Sequence, residues 1–99
     1  MSLSSEAVKQ YRIYALIDPL SLVAYYVGQT AETLGHRRQG HVRKRAYTRK
    51  GNWIRSLLDR ELEPQIVLLE EFWGYRAQAY ERESYWIRRL RSEGQPLTN

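Results

Sequence analysis

Two short runs of aromatic and branched residues stand near the start of the chain. One run extends from Tyr11 to Ile17 and the other from Leu22 to Val27, with Asp18-Pro19-Leu20-Ser21 between them. Runs of this composition joined by a short turn are typical of paired strands. The pattern therefore predicts an antiparallel hairpin.

The next segment changes to helical spacing. Thr30 or Thr33 is expected to cap a first helix that runs to about Ala46. Residues 47–52 are predicted to form a loop.

A second helix and a third strand are predicted after this loop. The helix is expected from Trp53 to about Leu62, with Asn52 as its N-cap and Pro64 beyond its end. Ile66-Val67-Leu68-Leu69 is an apolar run of a length that suits a central strand.

The last helix is predicted from Ala77 and ends near Glu93-Gly94. The order strand, strand, helix, helix, strand, helix indicates an α+β fold, a small three-stranded antiparallel sheet flanked by helices. We expect one domain over residues 11–99, preceded by an N-terminal extension over residues 1–10.

One carboxylate falls where this last helix requires an apolar side chain. Tyr80, Ile87 and Leu90 recur at helical spacing, and Glu83 lies between them on the same face. A buried, unpaired carboxylate is costly or takes up a proton, so we expect a cation to meet it. That cation is either a neighbouring arginine such as Arg76 or Arg82, or a metal ion.

Composition limits the classes of function. The chain of 99 residues is long enough for one modest core. No run approaches the ~20 apolar residues of a membrane span, and no signal peptide is visible, so we expect a cytoplasmic protein without a membrane partner. Since cysteine is absent, any metal must be bound by oxygen or imidazole.

The net charge of +5 is concentrated in the first half of the chain. Residues 1–50 carry nine Lys or Arg against three Asp or Glu, whereas residues 51–99 carry seven against eight. A polyanion such as a nucleic acid is the natural partner, although a solvated face that keeps the protein soluble has the same composition. The basic residues of the densest segment are Arg37, Arg38, Arg43, Lys44, Arg45, Arg49 and Lys50.

Two pairs of side chains suggest chemistry. Tyr14 and Tyr26 lie in the two hairpin strands, where their phenols can share one face, and Gly28 would let a phosphate come close. Arg37 and His41 are four residues apart on the first helix, so they point the same way. That pair favours an anion between its members. Both pairs also have plain explanations, as packing and as an exposed basic surface.

Six short motifs follow one another from about residue 11 to residue 99. Together they resemble the GIY-YIG nuclease family, with Arg12 in place of the first glycine of the family name and Arg38 in place of a usual apolar residue. The motifs are Arg12-Ile13-Tyr14, Tyr26-Val27-Gly28-Gln29-Thr30, Arg37 with His41, Asn52-Trp53-Ile54, Glu83-Ser84-Tyr85-Trp86-Ile87 and Leu97-Thr98-Asn99.

The resemblance implies a divalent-metal-dependent DNA endonuclease that nicks one strand with low sequence specificity. Glu83 would be the sole protein ligand of Mg²⁺ or Mn²⁺, and Tyr14 the general base that activates water. Arg37 would stabilise charge at phosphorus. Arg37 is preferred to Arg38 for this role because it lies one helical turn from His41.

The resemblance also implies supporting roles around these groups. Tyr26 would position the water or the phosphate, His41 would orient a tyrosine or relay its proton, and Asn99 would buttress the site. The basic residues would contact the DNA backbone without reading bases. These predicted nucleic-acid contacts are Gly28, Arg38, Arg43, Lys44, Arg45, Arg49 and Lys50.

Two other interpretations are open from the sequence. The chain could be a non-catalytic nucleic-acid-binding module with this fold, or exposed aromatic residues such as Trp73 could serve a protein partner. For the nuclease, cutting both strands requires either a homodimer or two successive events, and targeting could come from a separate DNA-binding partner.

Overall fold

The order of elements in the chain is the predicted one. The computed structural model describes residues 7–44 and 46–99 and, within them, three strands and three helices. The strands form one antiparallel sheet of order β2-β1-β3, which confirms the predicted α+β fold. The elements are β1 (Lys9–Ile17), β2 (Ala24–Thr30), α1 (Leu34–Arg43), α2 (Arg49–Asp59), β3 (Gln65–Gly74) and α3 (Arg76–Ser92).

The predicted N-terminal extension, residues 1–10, lies partly outside the described residues. Its last two residues, Lys9 and Gln10, belong to β1. None of the helices in the described ranges is long and apolar enough to cross a bilayer.

The strand predicted at residues 66–69 is present as part of β3, but the central strand of the sheet is β1, so the predicted central place is wrong. β3 is an edge strand of ten residues that continues through Glu70 and Glu71. Acidic residues are poor strand formers, but here distant arginines pair with them. Arg12 Nε lies 3.0 Å from Glu71 Oε2, and Arg82 Nη2 lies 2.7 Å from Glu70 Oε1.

A bulge interrupts the pairing of β1 with β3 beside Tyr14. Ile13 pairs with Glu70 and Tyr14 pairs with Leu68, so Leu69 is an extra residue on β3. A bulge bends the strand and redirects the side chains next to it. The bulge therefore lies beside Tyr14, the predicted general base.

The apolar core lies between the sheet and α3. Burying alternate residues of β1 against one face of a helix supplies the main hydrophobic stabilisation of a domain this small. The core consists of Ile13, Ala15, Ile17, Ala24, Val27 and Leu97, with Val67, Leu69, Phe72, Trp86, Ile87 and Leu90 packed against them.

The inward face of α3 differs from the prediction by one position. Ala79 is fully buried, whereas Tyr80 is 54% exposed and faces solvent. Glu83 is half-buried and follows Ala79 by one turn, in line with the packed residues Ile87 and Leu90. The prediction that Glu83 lies on the inward face is thus confirmed, and the inclusion of Tyr80 in that face is wrong.

The first helix is capped by one of the two predicted threonines. Thr33 is the N-cap, and its Oγ1 accepts a hydrogen bond from the His36 backbone N–H at 3.3 Å. The helix ends at Arg43, with Lys44 as its C-cap, so the prediction that it reaches Ala46 is wrong.

The second helix starts earlier than predicted. Thr48 is its N-cap and accepts a hydrogen bond from the Gly51 backbone N–H at 3.0 Å, so the prediction of Asn52 as the cap is wrong. The helix runs over Arg49–Asp59. Lys50 therefore lies in a first helical turn and not in a loop.

The last residues of the chain cover the outer edge of β2. Gln95 Oε1 accepts a hydrogen bond from the Ala24 backbone N–H at 2.8 Å. The backbone N–H and the hydroxyl of Thr98 both donate to the Tyr25 carbonyl, each at 2.7 Å. The tail thus satisfies backbone groups that an edge strand would otherwise expose.

Candidate active site

The two phenols predicted to meet on the sheet do so. Tyr14 pairs with Gly28 and Tyr26 pairs with Leu16, which makes the two tyrosines diagonal neighbours. Their ring centroids are 6.4 Å apart. A Cβ built on Gly28 would lie 2.4 Å from Tyr14 Oη, so the close approach that requires glycine is that of the Tyr14 phenol. A phosphate contact at Gly28 stays a prediction.

The phenol oxygen of Tyr14 lies between the two residues predicted to share an anion. Arg37 Nε donates a hydrogen bond to Tyr14 Oη at 3.1 Å, and His41 Nε2 lies 2.6 Å from the same oxygen. The four-residue spacing of Arg37 and His41 on α1 brings both side chains to this point. In the protein alone, the group between them is therefore a phenol.

Lys50 contacts the other nitrogen of His41. Its Nζ lies 3.1 Å from His41 Nδ1, and an ammonium group can only donate, so Nδ1 accepts this hydrogen bond. The proton of the neutral imidazole is then on Nε2, which donates to Tyr14 Oη. Burial, followed by the charges of Lys50 and Arg37, lowers the pKa of His41 to about 3, so the ring is neutral at pH 7.

Lys50 was predicted to contact only the DNA backbone, and its place in this cluster was missed. It lies 4.7 Å from the centroid of the Tyr26 ring, within the range of a cation–π interaction. Burial, and then the charge of Arg37, lowers the pKa of Lys50. No local motif marks this residue, because its direction depends on where α2 begins.

The groups around Tyr14 have opposing effects on its pKa. Burial is the largest of them and raises the pKa of Tyr14 to about 12, while the hydrogen bond and charge of Arg37 act to lower it. The negative charge of Glu83 also raises it, and burial and Glu83 likewise raise the pKa of Tyr26. The phenol is neutral at pH 7 with these groups alone, although two N–H donors already surround its oxygen.

Glu83 makes no hydrogen bond or ion pair with another residue in the described part of the chain. Arg82, one of the two arginines considered as its partner, is instead bound to Glu70, with Nε and Oε1 2.9 Å apart. Burial raises the pKa of Glu83, and the charge of Arg37 opposes this. The half-buried carboxylate is thus within electrostatic range of Arg37 and of both phenols.

The donor set fits a magnesium ion that depends on its substrate for most of its ligands. No group of three or more His, Asp or Glu in residues 7–44 and 46–99 could hold a metal. Both ring nitrogens of His41 have partners, so Glu83 is the side chain suited to the role. Mg²⁺ is commonly bound by one carboxylate together with water and phosphate oxygens.

Asn99 supports the site from behind β2. Its Oδ1 accepts a hydrogen bond from the Val27 backbone N–H at 2.9 Å, and its Nδ2 donates to the Val27 carbonyl at 2.7 Å. Arg91 donates to the Asn99 backbone carbonyl. Because Val27 separates Tyr26 from Gly28, Asn99 holds the strand segment that carries two site residues.

Among the described residues, the other predicted basic residues make no hydrogen bond or cation–π contact with Tyr14 or Tyr26. Arg38 Nη1 lies 3.0 Å from Glu63 Oε2, so Arg37 is the arginine of this pair that reaches Tyr14. Arg45 lies outside the described residues. The exposed residues of the predicted DNA-binding set are Arg43, Lys44 and Arg49.

Comparisons with known proteins add no family assignment. The chain matches no protein-family model, and comparisons with curated proteins and with solved structures find no significant match. The resemblance of the motifs is therefore an expectation, and a functional assignment depends on the geometry of the cluster.

Proposed function

We propose that this protein is a divalent-metal-dependent DNA endonuclease with a GIY-YIG-type site. One observation carries the proposal: the buried oxygen of Tyr14 is held between Arg37 Nε and His41 Nε2. It lies within electrostatic range of the Glu83 carboxylate, which has no hydrogen-bond or ion-pair partner among residues 7–44 and 46–99. A purely structural cluster gains no stability from an unpaired, half-buried carboxylate. An active site needs such a carboxylate at the place where a cation must bind.

Tyr14 acts as the general base. His41 Nε2 and Arg37 Nε both donate to its oxygen, so neither accepts the phenol proton. Release of that proton to solvent leaves a phenolate whose oxygen keeps both donors. The phenolate takes a proton from water, and the water oxygen adds to phosphorus as a P–O ester bond breaks. The leaving oxygen takes its proton from solvent.

Arg37 supports both the base and the phosphate. Within the described residues its guanidinium uses Nε toward Tyr14. The terminal nitrogens of a guanidinium carry further N–H donors with the geometry that phosphate oxygens accept. The same side chain thus lowers the pKa of Tyr14 and stabilises charge on the phosphate in the transition state.

Glu83 and the metal set the charge balance of the site. A Mg²⁺ or Mn²⁺ ion bound at Glu83 would polarise the phosphate and stabilise charge that develops at phosphorus. Without a cation, the carboxylate raises the pKa of Tyr14 and Tyr26. Neutralising this carboxylate therefore favours the phenolate that catalysis requires.

The substrate proposed is DNA, bound through its backbone. The net charge of +5 and the exposed residues Arg43, Lys44 and Arg49 support salt-sensitive binding with little sequence preference. One site per chain nicks one strand, so a homodimer or a separate targeting partner would direct double-strand cleavage. A cytoplasmic location is part of the proposal.

A plasmid-nicking assay with Mg²⁺ or Mn²⁺ tests the proposal. We expect Glu83→Gln to reduce nicking on the order of 10³-fold, and Tyr14→Phe to reduce it to a similar extent. Glu81→Gln is the matched control, since Glu81 is exposed on the same helix. It should nick like the wild type.

The stability of the variants separates chemistry from misfolding. Burial raises the pKa of Glu83, so its carboxylate destabilises the fold at pH 7, and Glu83→Gln should keep or raise the melting temperature. Equal nicking by the wild type and Glu83→Gln would refute the proposal. Binding of DNA without cleavage in either metal would identify a non-catalytic binding module instead.

A further inference from the structure

A cavity of about 220 Å³ lies along α1 beside Arg37. We call it the α1 recess. Arg37 belongs both to this recess and to the Tyr14 cluster, so the recess begins next to the candidate active site. Its lining includes Glu32, His36, Arg37, Gly40, Arg43 and Lys44.

The recess carries a positive charge that no described acid neutralises in full. Arg43 and Lys44 are exposed on its lining, and Arg37 adds a third cation. The carboxylate of the lining, Glu32, lies 3.7 Å from His36, between Oε2 and Nε2. The balance favours an anionic ligand of small size.

Gly40 is a glycine that the fold does not require. A Cβ built there meets no atom within 4 Å, and its φ is not in the left-handed region. Glycine in a helix interior is destabilising relative to alanine, so its presence needs another reason. A ligand backbone that lies against the helix surface would supply one.

Gly35 provides the contrast within the same helix. A Cβ at Gly35 also meets no atom within 4 Å, but Gly35 does not line the recess. The two positions share the same open space, although Gly35 is the second residue of α1 and Gly40 lies in its interior. They differ in whether they lie beside the cationic surface.

We propose that the α1 recess binds a backbone phosphate of the nucleic-acid strand next to the phosphate that is cut. Gly40 is glycine because the strand lies directly against α1 there, with Arg37 before it in sequence, next to Tyr14, and Arg43 and Lys44 after it. This subsite rests on the proposed function and extends it, since it states where the strand runs beyond the reacting phosphate.

The test measures binding of a fluorescent DNA duplex by anisotropy, in EDTA so that the DNA is not cut. Gly40→Ala should raise the Kd about tenfold and reduce the slope of log K against log salt by roughly one, as expected for one lost phosphate contact. Gly40→Leu should raise the Kd further, because its side chain fills more of the recess. Gly35→Ala should bind like the wild type.

Melting temperatures make the result specific to binding. Gly40→Ala should raise the Tm by about 4–8 °C, because alanine stabilises a helix interior relative to glycine, and Gly35→Ala should not lower it. Weaker binding together with greater stability is a combination that damage to the fold does not produce.

Three outcomes would overturn the subsite. The first is that both Gly40 variants bind like Gly35→Ala while the wild type binds and nicks DNA, which leaves the proposed function intact. The second is a lower Tm for Gly40→Ala, which would make Gly40 a structural residue. The third is absence of any DNA binding by the wild type, which would also refute the proposed function.

Discussion

Lys50 Nζ lies 3.1 Å from His41 Nδ1, and this contact decides which nitrogen of the imidazole carries the proton. Because the ammonium donates to Nδ1, the proton lies on Nε2 and is directed at Tyr14 Oη, 2.6 Å away. The first turn of α2 thus sets the hydrogen bonding of a phenol on β1. Lys50 thus acts on Tyr14, the candidate base, through the side chain of His41.

Lys50→Met tests this indirect effect. The change keeps most of the side-chain volume but removes the donor to Nδ1, so the imidazole is free to adopt either tautomer. We expect nicking to fall about 10–100-fold, the usual cost of losing a group that orients a site residue. Lys44→Met, at an exposed position on α1's C-cap, is the control and should retain the Tyr14–His41 arrangement, with at most weaker DNA binding. A wild-type rate and an unchanged pH profile for Lys50→Met would contradict the role.

His41 makes stability depend on pH below neutrality. Its pKa is about 3 in the folded protein against 6.5 as the ordinary value, so the unfolded state binds a proton that the folded state excludes. Its contribution is fully present above pH 6.5 and is lost as the pH falls toward 3, with a slope that approaches about 1.4 kcal/mol per pH unit. The titratable and charged groups facing it are Lys50, Arg37, Tyr14 and Tyr26.

Urea unfolding between pH 7 and pH 5.5 measures this slope while carboxylates near their ordinary pKa values stay largely ionised, and the His41 variant retains any titration of Glu83. His41→Gln should flatten the dependence even though the variant is less stable overall. His36→Gln replaces the other histidine, which is exposed on α1, and should keep the wild-type slope. Equal slopes in the two variants would show that His41 does not carry the effect.

Neighbouring arginines on α1 offer a matched pair for catalysis. Arg37 bonds to Tyr14, whereas Arg38 forms an ion pair with Glu63. We expect Arg37→Ala to reduce nicking about 10²–10³-fold, since it removes a donor to both the base and the phosphate. Arg38→Ala should retain most activity and lose about 0–1 kcal/mol of stability. If Arg38→Ala reduced nicking more than Arg37→Ala, Arg38 would be the arginine that acts at the site.

Gly28 should tolerate no side chain, for a reason separate from DNA binding. The Cβ of Gly28→Ala would lie 2.4 Å from Tyr14 Oη and 2.6 Å from Tyr14 Cζ, so the ring must leave its contact with His41. We expect a loss of about 1–3 kcal/mol in the free energy of unfolding, the usual cost of overpacking.

Activity should show that Gly28 acts through Tyr14. Nicking by Gly28→Ala should fall about as far as for Tyr14→Phe, and the double variant should lose little more, because both changes disable one unit. Full activity of Gly28→Ala would mean that the phenol can relocate without consequence.

Local spacing was sufficient to predict much of this fold. The runs of aromatic and branched residues at 11–17 and 22–27, joined by a short turn, predicted the hairpin, and the hairpin brings Tyr14 near Tyr26. The position of Glu83 followed from helical periodicity, which depends on residues a turn apart. The Arg37 and His41 pairing followed for the same reason. These features need only nearby residues, and the structure contains them.

Features set by distant residues were missed. β3 continues through Glu70 and Glu71 because Arg82 and Arg12 pair with them from other elements, and no local propensity indicates that. Thr48 and Asn52 are both good N-caps, and the choice of Thr48 decides where Lys50 points. The helical position of Lys50, and with it the Lys50–His41 contact, could not be predicted from spacing alone.

The bonds between Asn99 and Val27 join residues 72 positions apart at the very edge of the sheet. Val27 has a fully buried side chain, yet the partner of its amide is a single carboxamide near the chain end. Hydrogen–deuterium exchange at this amide should report brief detachment of the tail, well before global unfolding. The same opening events would loosen β2 between Tyr26 and Gly28, so the lifetime of that contact limits how rigidly the second phenol is held.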